Sequence, residues 1–284
     1  MRYRGRFAPS PSGPLHFGSV VTAIASYLDA KSQHGDWLIR IEDIDPPREV
    51  EGASDIILEQ LAALSLQSDE AVTFQSDRLA SYQQQVELWL QNRQAYYCQC
   101  PRKRLKSLKH IYDGYCRDKQ RPQQGAAVRF KNTIQETHFF DRIYNQVNLA
   151  ADVAGQDFII RRKDGLIAYQ IAVVMDDIAQ QISHIVRGSD LLETTLWQRS
   201  LYQALNTPVP NYAHIPVIID ASGRKLSKQN GAPGIRPQDA KQTCFAALNA
   251  LQLAPPTALK IESPSQQLAW ALENWQLPTV TNTR

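Results

Sequence analysis

Three observations predict an α/β fold with a mainly parallel sheet covered by helices. From the N-terminus, β-rich runs alternate with helical patterns: YRGRFA, a helix over about 18–31 stopped by Gly35, WLIRIED, then a helix over about 54–64. The same rhythm returns later with DFIIRR, a helix over 170–179, ISHIVRG, a helix over 191–205 and HIPVIID. Finally, the loop APSPSGPLHFGS sits where a strand ends and a helix begins, which is where open parallel sheets bind ligands.

A chain of 284 residues is long enough to bury a full core. With 43% hydrophobic and 21% charged residues and a mean hydropathy of −0.39, it has the composition of a soluble globular protein rather than a disordered one. The net charge of +3 and isoelectric point near 8.6 permit a nucleic-acid partner without demanding one. The N-terminus opens directly into strand-like sequence, and no apolar run approaches the ~20 residues of a membrane span. A cytoplasmic protein with no membrane partner is expected. There is no internal repeat.

Each later element has its own signal. Leu79, Tyr82, Val86, Trp89 and Leu90 share one helical face, and that helix runs into AYYCQC. Between Cys98 and about Asn148 the chain is rich in Lys, Arg, Gln and Tyr, includes PRKRLKSLKH and shows little helical period, the mark of an inserted subdomain. After ASGRKLSKQNGAPG the sequence reads as helical and ends in a tail rich in Pro, Thr and Asn. The expected organisation is a catalytic domain in two halves, 1–95 and 151–231, with an insertion at 96–150 and a helical extension at 232–284.

Two stretches have the chemistry of a phosphate site. In HFGS, the His16 imidazole can bond phosphate oxygens, Gly18 admits a nucleotide to the backbone, and the helix start offers unpaired N–H groups. In GRKLSKQNG, Lys225 and Lys228 flank Ser227 and could close over a polyphosphate. The plain alternatives are a turn and a solvated basic loop. Three of the four cysteines, Cys98, Cys100 and Cys116, crowd into one segment, which suits a single structural zinc better than disulfides; three reduced thiols are the alternative. A fourth ligand would come from His110, Tyr112, Tyr115 or water. Cys244 reads as a packing residue. The MDD triplet, Met175 to Asp177, is read as solvated or helix-pairing rather than as a metal site, because nothing nearby supplies further ligands.

The ordered pair HFGS and KLSK resembles the two signature motifs of class I aminoacyl-tRNA synthetases. FAPSPSGPLHFGS, IRIEDID and AYQIAVVMDDIAQQISHIVRGSDLL resemble the glutamyl-tRNA synthetase catalytic core, and the likeness spans most of residues 3–231. It implies a Rossmann-type catalytic domain. It also implies glutamate contacts at Arg6, Ala8, Ser10, Glu42, Tyr169 and Arg187, and ATP contacts at His16, Gly18, Ser19 and Lys228. His16, Lys225 and Lys228 would be catalytic and Mg²⁺ would arrive with ATP. Cys98, Cys100 and Cys116 would hold zinc with Tyr112 as the subfamily's fourth ligand.

The chain departs from the signature motifs at Ser19, where the family has a second His, and at Leu226 and Gln229, where it has Met and Ser. It ends 53 residues after Gly231, short of the large anticodon-reading region of glutamyl-tRNA synthetases. In that respect it resembles a truncated branch of the family, whose members activate L-glutamate without tRNA and transfer it to the queuosine base at the wobble position of tRNA(Asp). A monomer with that activity is expected. The alternatives are a minimal synthetase charging the 3′ end of tRNA(Glu) and a non-catalytic tRNA-binding relic.

Overall fold

The computed structural model describes residues 2–109, 111–134, 136–218 and 233–280. His110, Lys225 and Lys228, with Leu226, Ser227 and Gln229, lie outside the described residues.

Strand β1 (Arg4–Phe7) pairs in parallel with β2 (Asp36–Ile41), and β2 in parallel with the short β3 (Thr73–Phe74). Between β1 and β2 runs helix α1 (Phe17–Ser32). Val20, Ile24, Ala25 and Leu28 of α1 have no exposed surface, because the helix packs on strands on one side and on two C-terminal helices on the other. A helix apolar nearly all round belongs in a core. The chain leaves α1 through His34 in the left-handed region (φ 52°), and Gly35 then passes so close to Tyr3 that a Cβ would stand 2.5 Å from its carbonyl oxygen. The expected stop at Gly35 is therefore a matter of space. Helix α2 (Ala53–Ala63) follows, then α3 (Leu79–Gln91), which buries Tyr82, Val86 and Trp89.

The second half builds a parallel pair from β9 (His184–Gly188) and β10 (Asn211–Ile215), extended by β6 (His138–Asp141) parallel to β10 and by β7 (Asn145–Asn148) antiparallel to β6. β9 lies beside β1, where the Ser183 N–H bonds the Arg4 carbonyl at 3.0 Å. The C-terminal ends of β1, β9 and β10 thus face one place. The last predicted strand shifts: HIPVIID was expected, but β10 is NYAHI and ends before Pro216, which has no N–H to continue the ladder.

β4 (Ala95–Cys98), β5 (Ala127–Phe130) and β8 (Phe158–Arg161) form a separate antiparallel sheet. Segment 96–150 therefore contributes strands to both this sheet and the parallel one. Its basic cluster carries a short helix, α4 (Arg102–Ser107), that the periodicity did not reveal. After α5 (Ala151–Ala154), helix α6 (Tyr169–Ala179) precedes β9, and α7 (Thr195–Ala204) precedes β10. Helices α8 (Ala240–Ala250) and α9 (Pro264–Glu273) pack on α1. Cys244 has no exposed surface, and burial pushes its thiol up to about 12, as a packing residue requires. No described helix is long and apolar enough to cross a membrane.

Candidate active site

A cleft of about 560 Å³ opens at the C-terminal ends of β1, β9 and β10. Arg6, Ala8, Ser10, His16, Gly18, Ser19, Tyr169 and Arg187 all line it, so one cavity gathers residues from both halves of the sequence. Pro216, Val217 and Ile218 form another wall, and Gly234 bridges to His16, so the chain on either side of the KLSK stretch borders the same cleft. Gly234 lies so close to the HFGS loop that a Cβ there would stand 2.6 Å from the Pro14 Cβ.

His16 is the N-cap of α1. Its Nδ1 accepts the Ser19 N–H at 3.3 Å, and its Nε2 stands 3.0 Å from the Ser19 hydroxyl. The serine that replaces the family's second histidine thus touches the first. This sixteen-residue helix points its N-terminus, the positive end of its dipole, at the cleft.

Arg187 is buried, and its partners are all uncharged: Nε donates to His214 Nε2 at 3.0 Å, Nη1 to Gln198 Oε1 at 2.6 Å, and Nη2 to Thr195 Oγ1 at 2.8 Å and the Leu191 carbonyl at 3.4 Å. Among the described residues no carboxylate lies within ion-pair distance of it. A buried cation held only by neutral groups on a cleft wall favours an incoming anion.

Arg6 differs. Its guanidinium pairs with Asp177, Nε to Oδ1 at 3.1 Å, and Arg40 Nη2 reaches the same oxygen at 2.8 Å. Burial works against the charges of Arg6 and Asp177, but their attraction outweighs it and holds Asp177 below, and Arg6 above, its ordinary range. The reading of the MDD pair as solvated is therefore corrected. Asp176 and Asp177 are each 1% exposed, Asp177 serving Arg6 and Arg40 while Asp176 accepts from Tyr82, Gln75 and Arg78. The signal was present in AYQIAVVMDDIA, where two carboxylates sit in an otherwise apolar helix and need buried cations.

Glu42 lies just behind the cleft, its N–H bonded to the Pro9 carbonyl at 2.9 Å. It is buried, its Oε1 has no hydrogen-bond partner among the described residues, and Arg40 stands off at 3.5 Å. Burial raises its carboxyl to about 7, a shift that Arg40 and Arg6 oppose without cancelling. Because the folded state disfavours the charged form, Glu42 costs stability progressively as pH rises from the ordinary carboxylate value of 4.5 through 7. The variant Glu42→Gln is expected to exceed its parent in stability by about 2–3 kcal/mol near pH ~8, with the gap closing toward pH ~4. Urea titrations at the two pH values measure it; equal gaps at both would contradict the assignment.

Far from the cleft, Cys98, Cys100 and Cys116 bring their sulfurs within 4.8 Å of one another. Cys100 and Cys116 are 3.5 Å apart, and the Tyr112 hydroxyl stands 3.5 Å from Cys98 and 3.9 Å from Cys100. Burial and the neighbouring thiols push the Cys100 thiol up to about 11. Tyr115 instead turns outward, with Lys119 and Arg104 over its ring.

Comparisons with known sequences and structures identify the family. The family model described as tRNA synthetases class I (E and Q), catalytic domain, matches residues 2–243. A Glutamyl-Q tRNA(Asp) synthetase from Photobacterium profundum is 48% identical over 98% of this chain and 91% of its own length. One of the same name from Vibrio cholerae is 47% identical over 98% and 91%. Among solved structures, a glutamate tRNA ligase from Elizabethkingia meningosepticum, in complex with its amino acid, superposes with a TM-score of 0.77 at 26% identity. That likeness covers 94% of this chain but only 64% of the ligase. With most of its length matched by the family model and close relatives aligned nearly end to end, the chain belongs to the class I tRNA synthetases (E and Q), catalytic-domain family.

Proposed function

We propose that the chain is a ligase that activates L-glutamate with ATP and transfers it to the queuosine base of tRNA(Asp). One observation carries the amino-acid half of this reading: the cleft is lined by a buried Arg187 guanidinium with no carboxylate partner among the described residues, and just behind it lies Glu42, a buried carboxyl with an orphaned oxygen. A substrate with an ammonium group and a second carboxylate satisfies both. Arg6, Ala8, Ser10 and Tyr169 line the cavity around it. His16, Gly18, Ser19 and the α1 N-terminus would take the ATP phosphates, with Lys225 and Lys228 assigned by motif and Mg²⁺ arriving with ATP.

The glutamate α-carboxylate attacks the ATP α-phosphate and expels pyrophosphate. A hydroxyl of the queuosine cyclopentenediol then attacks the adenylate carbonyl and releases AMP. No protein nucleophile enters; the residues position the reactants and stabilise charge. The exposed Arg102, Lys103 and Lys106 of α4, with the exposed Tyr115 stacked under Arg104 of the same helix, suit a tRNA backbone, and binding there would weaken with salt. The relatives' shared name supports the acceptor.

The test is ATP–pyrophosphate exchange with L-glutamate and no tRNA, followed by aminoacylation of tRNA(Asp) with and without queuosine. No exchange, or equal exchange with glutamine, overturns the reading. Charging of the 3′ end of tRNA(Glu) would mark the minimal synthetase instead.

The same proposal places one structural zinc at Cys98, Cys100, Cys116 and Tyr112. Sulfurs sharing a tetrahedral ion at about 2.3 Å stand about 3.8 Å apart, close to the 3.5 Å between Cys100 and Cys116, and the phenol oxygen completes four donors. The ion would fix the fold of this segment and supply no step of the reaction. Metal analysis is expected to find one zinc per chain. Chelation or Cys100→Ser should remove it and lower the thermal midpoint by several degrees; a metal-free protein of unchanged stability would refute the site.

A further inference from the structure

We propose that Asp141 is a positioning residue for glutamate, acting through His214 on Arg187. The inference rests on the reading of Arg187 as the receiver of a substrate carboxylate. His214 on β10 is the parallel cross-strand partner of Arg187 on β9. Arg187 donates its Nε–H to His214 Nε2, so that nitrogen must carry a lone pair and no proton. On the other side of the ring, His214 Nδ1 stands 2.7 Å from Asp141 Oδ2. The carboxylate can only accept, so Nδ1 holds the proton and Nε2 stays open for Arg187.

Asp141 is itself fixed by the backbone. Its Oδ1 accepts the N–H groups of Ile143 and Tyr144, each at 2.9 Å, and that of His214 at 3.3 Å. Asp141 and His214 have no exposed surface, so water cannot substitute for any member. Neither residue lines the cleft. Their effect reaches the substrate only through the orientation of the guanidinium.

The consequence is specific to the proton. In Asp141→Asn the amide oxygen must stay where the three backbone N–H groups need an acceptor, which turns the NH₂ toward His214 Nδ1. The imidazole proton then moves to Nε2 and meets the Arg187 N–H donor to donor. An isosteric change two residues removed from the substrate thus dislodges Arg187.

Three measurements test this. In wild type, ¹⁵N imidazole shifts should identify Nε2 of His214 as the unprotonated nitrogen, and Asp141→Asn should exchange the two. In pyrophosphate exchange, Asp141→Asn should raise KM for glutamate about tenfold or more with KM for ATP unchanged, and His214→Asn, which withdraws the acceptor, should do the same. Adding His214→Gln to Asp141→Asn restores an acceptor independent of residue 141 and should return the glutamate KM to within about threefold of wild type. An unchanged tautomer, an unchanged glutamate KM, equal rises for glutamate and ATP, or no rescue would each overturn the proposal. Absence of glutamate-dependent exchange in the wild type would overturn the reading of the cleft instead, and the inference with it, while the tautomer would still report on the hydrogen-bond chain alone.

Discussion

Arg187→Gln is expected to lower kcat/KM for glutamate by about a hundredfold or more while leaving KM for ATP within about twofold. The variant removes the cation of the cleft that no described carboxylate neutralises, so the substrate carboxylate would enter a buried site without its counter-charge. About 3 kcal/mol of lost pairing corresponds to that factor. Arg187→Lys should fall between the two. It keeps the charge but lacks the planar fork that engages His214, Gln198 and Thr195 together. Pyrophosphate exchange at varied glutamate and fixed ATP provides the measurement. Equal losses toward both substrates would mean that Arg187 holds the fold rather than the amino acid.

The largest effect on stability is expected from Asp177→Ala, at about 3–5 kcal/mol. Asp177 balances two buried guanidiniums, and the tyrosine hydroxyl of Tyr202 also reaches it at 3.2 Å. Truncation leaves Arg6 without its carboxylate partner and removes the nearest anion from Arg40, which keeps only the more distant Glu42 at 3.5 Å and Asp176 at 3.6 Å. It also cuts a tie across 171 residues of sequence, between β1 and α6. Asp177→Asn keeps hydrogen-bond acceptance and should cost less. Urea midpoints with an unchanged denaturant slope would report the loss; an Asp177→Ala protein as stable as its parent would show that the network contributes nothing net.

The elements legible in the sequence are those whose pattern is local. The βαβα start is visible because α1 and its flanking strands are apolar, punctuated by Gly35 and by the proline loop. The gathering of Arg6 and Arg187 at one cleft follows from strand ends facing one side of the sheet, and Tyr169 joins them from the first turn of α6. What stayed hidden depends on pairing at a distance. No window contains both Arg6 and Asp177, or both Asp141 and His214, so buried charge networks read locally as surface polarity. β10 was displaced by a few residues because HIPVIID is as apolar as the true strand, and only the missing N–H of Pro216 separates them. α4 escaped because a short helix of exposed basic residues has no apolar face to declare it.

The packing of α8 against α1 has a consequence for what counts as a unit. The catalytic-domain match ends at residue 243, inside α8, one residue before Cys244, although relatives stay aligned beyond it, and Ala247 and Leu248 past that point are also fully buried. A fragment cut at that border would strip the cover from the helix whose first turn lines the cleft. The edge of the catalytic-domain match and the edge of the packed unit therefore fall in different places, and the residues past 243 complete the wall behind the cleft rather than decorate its end.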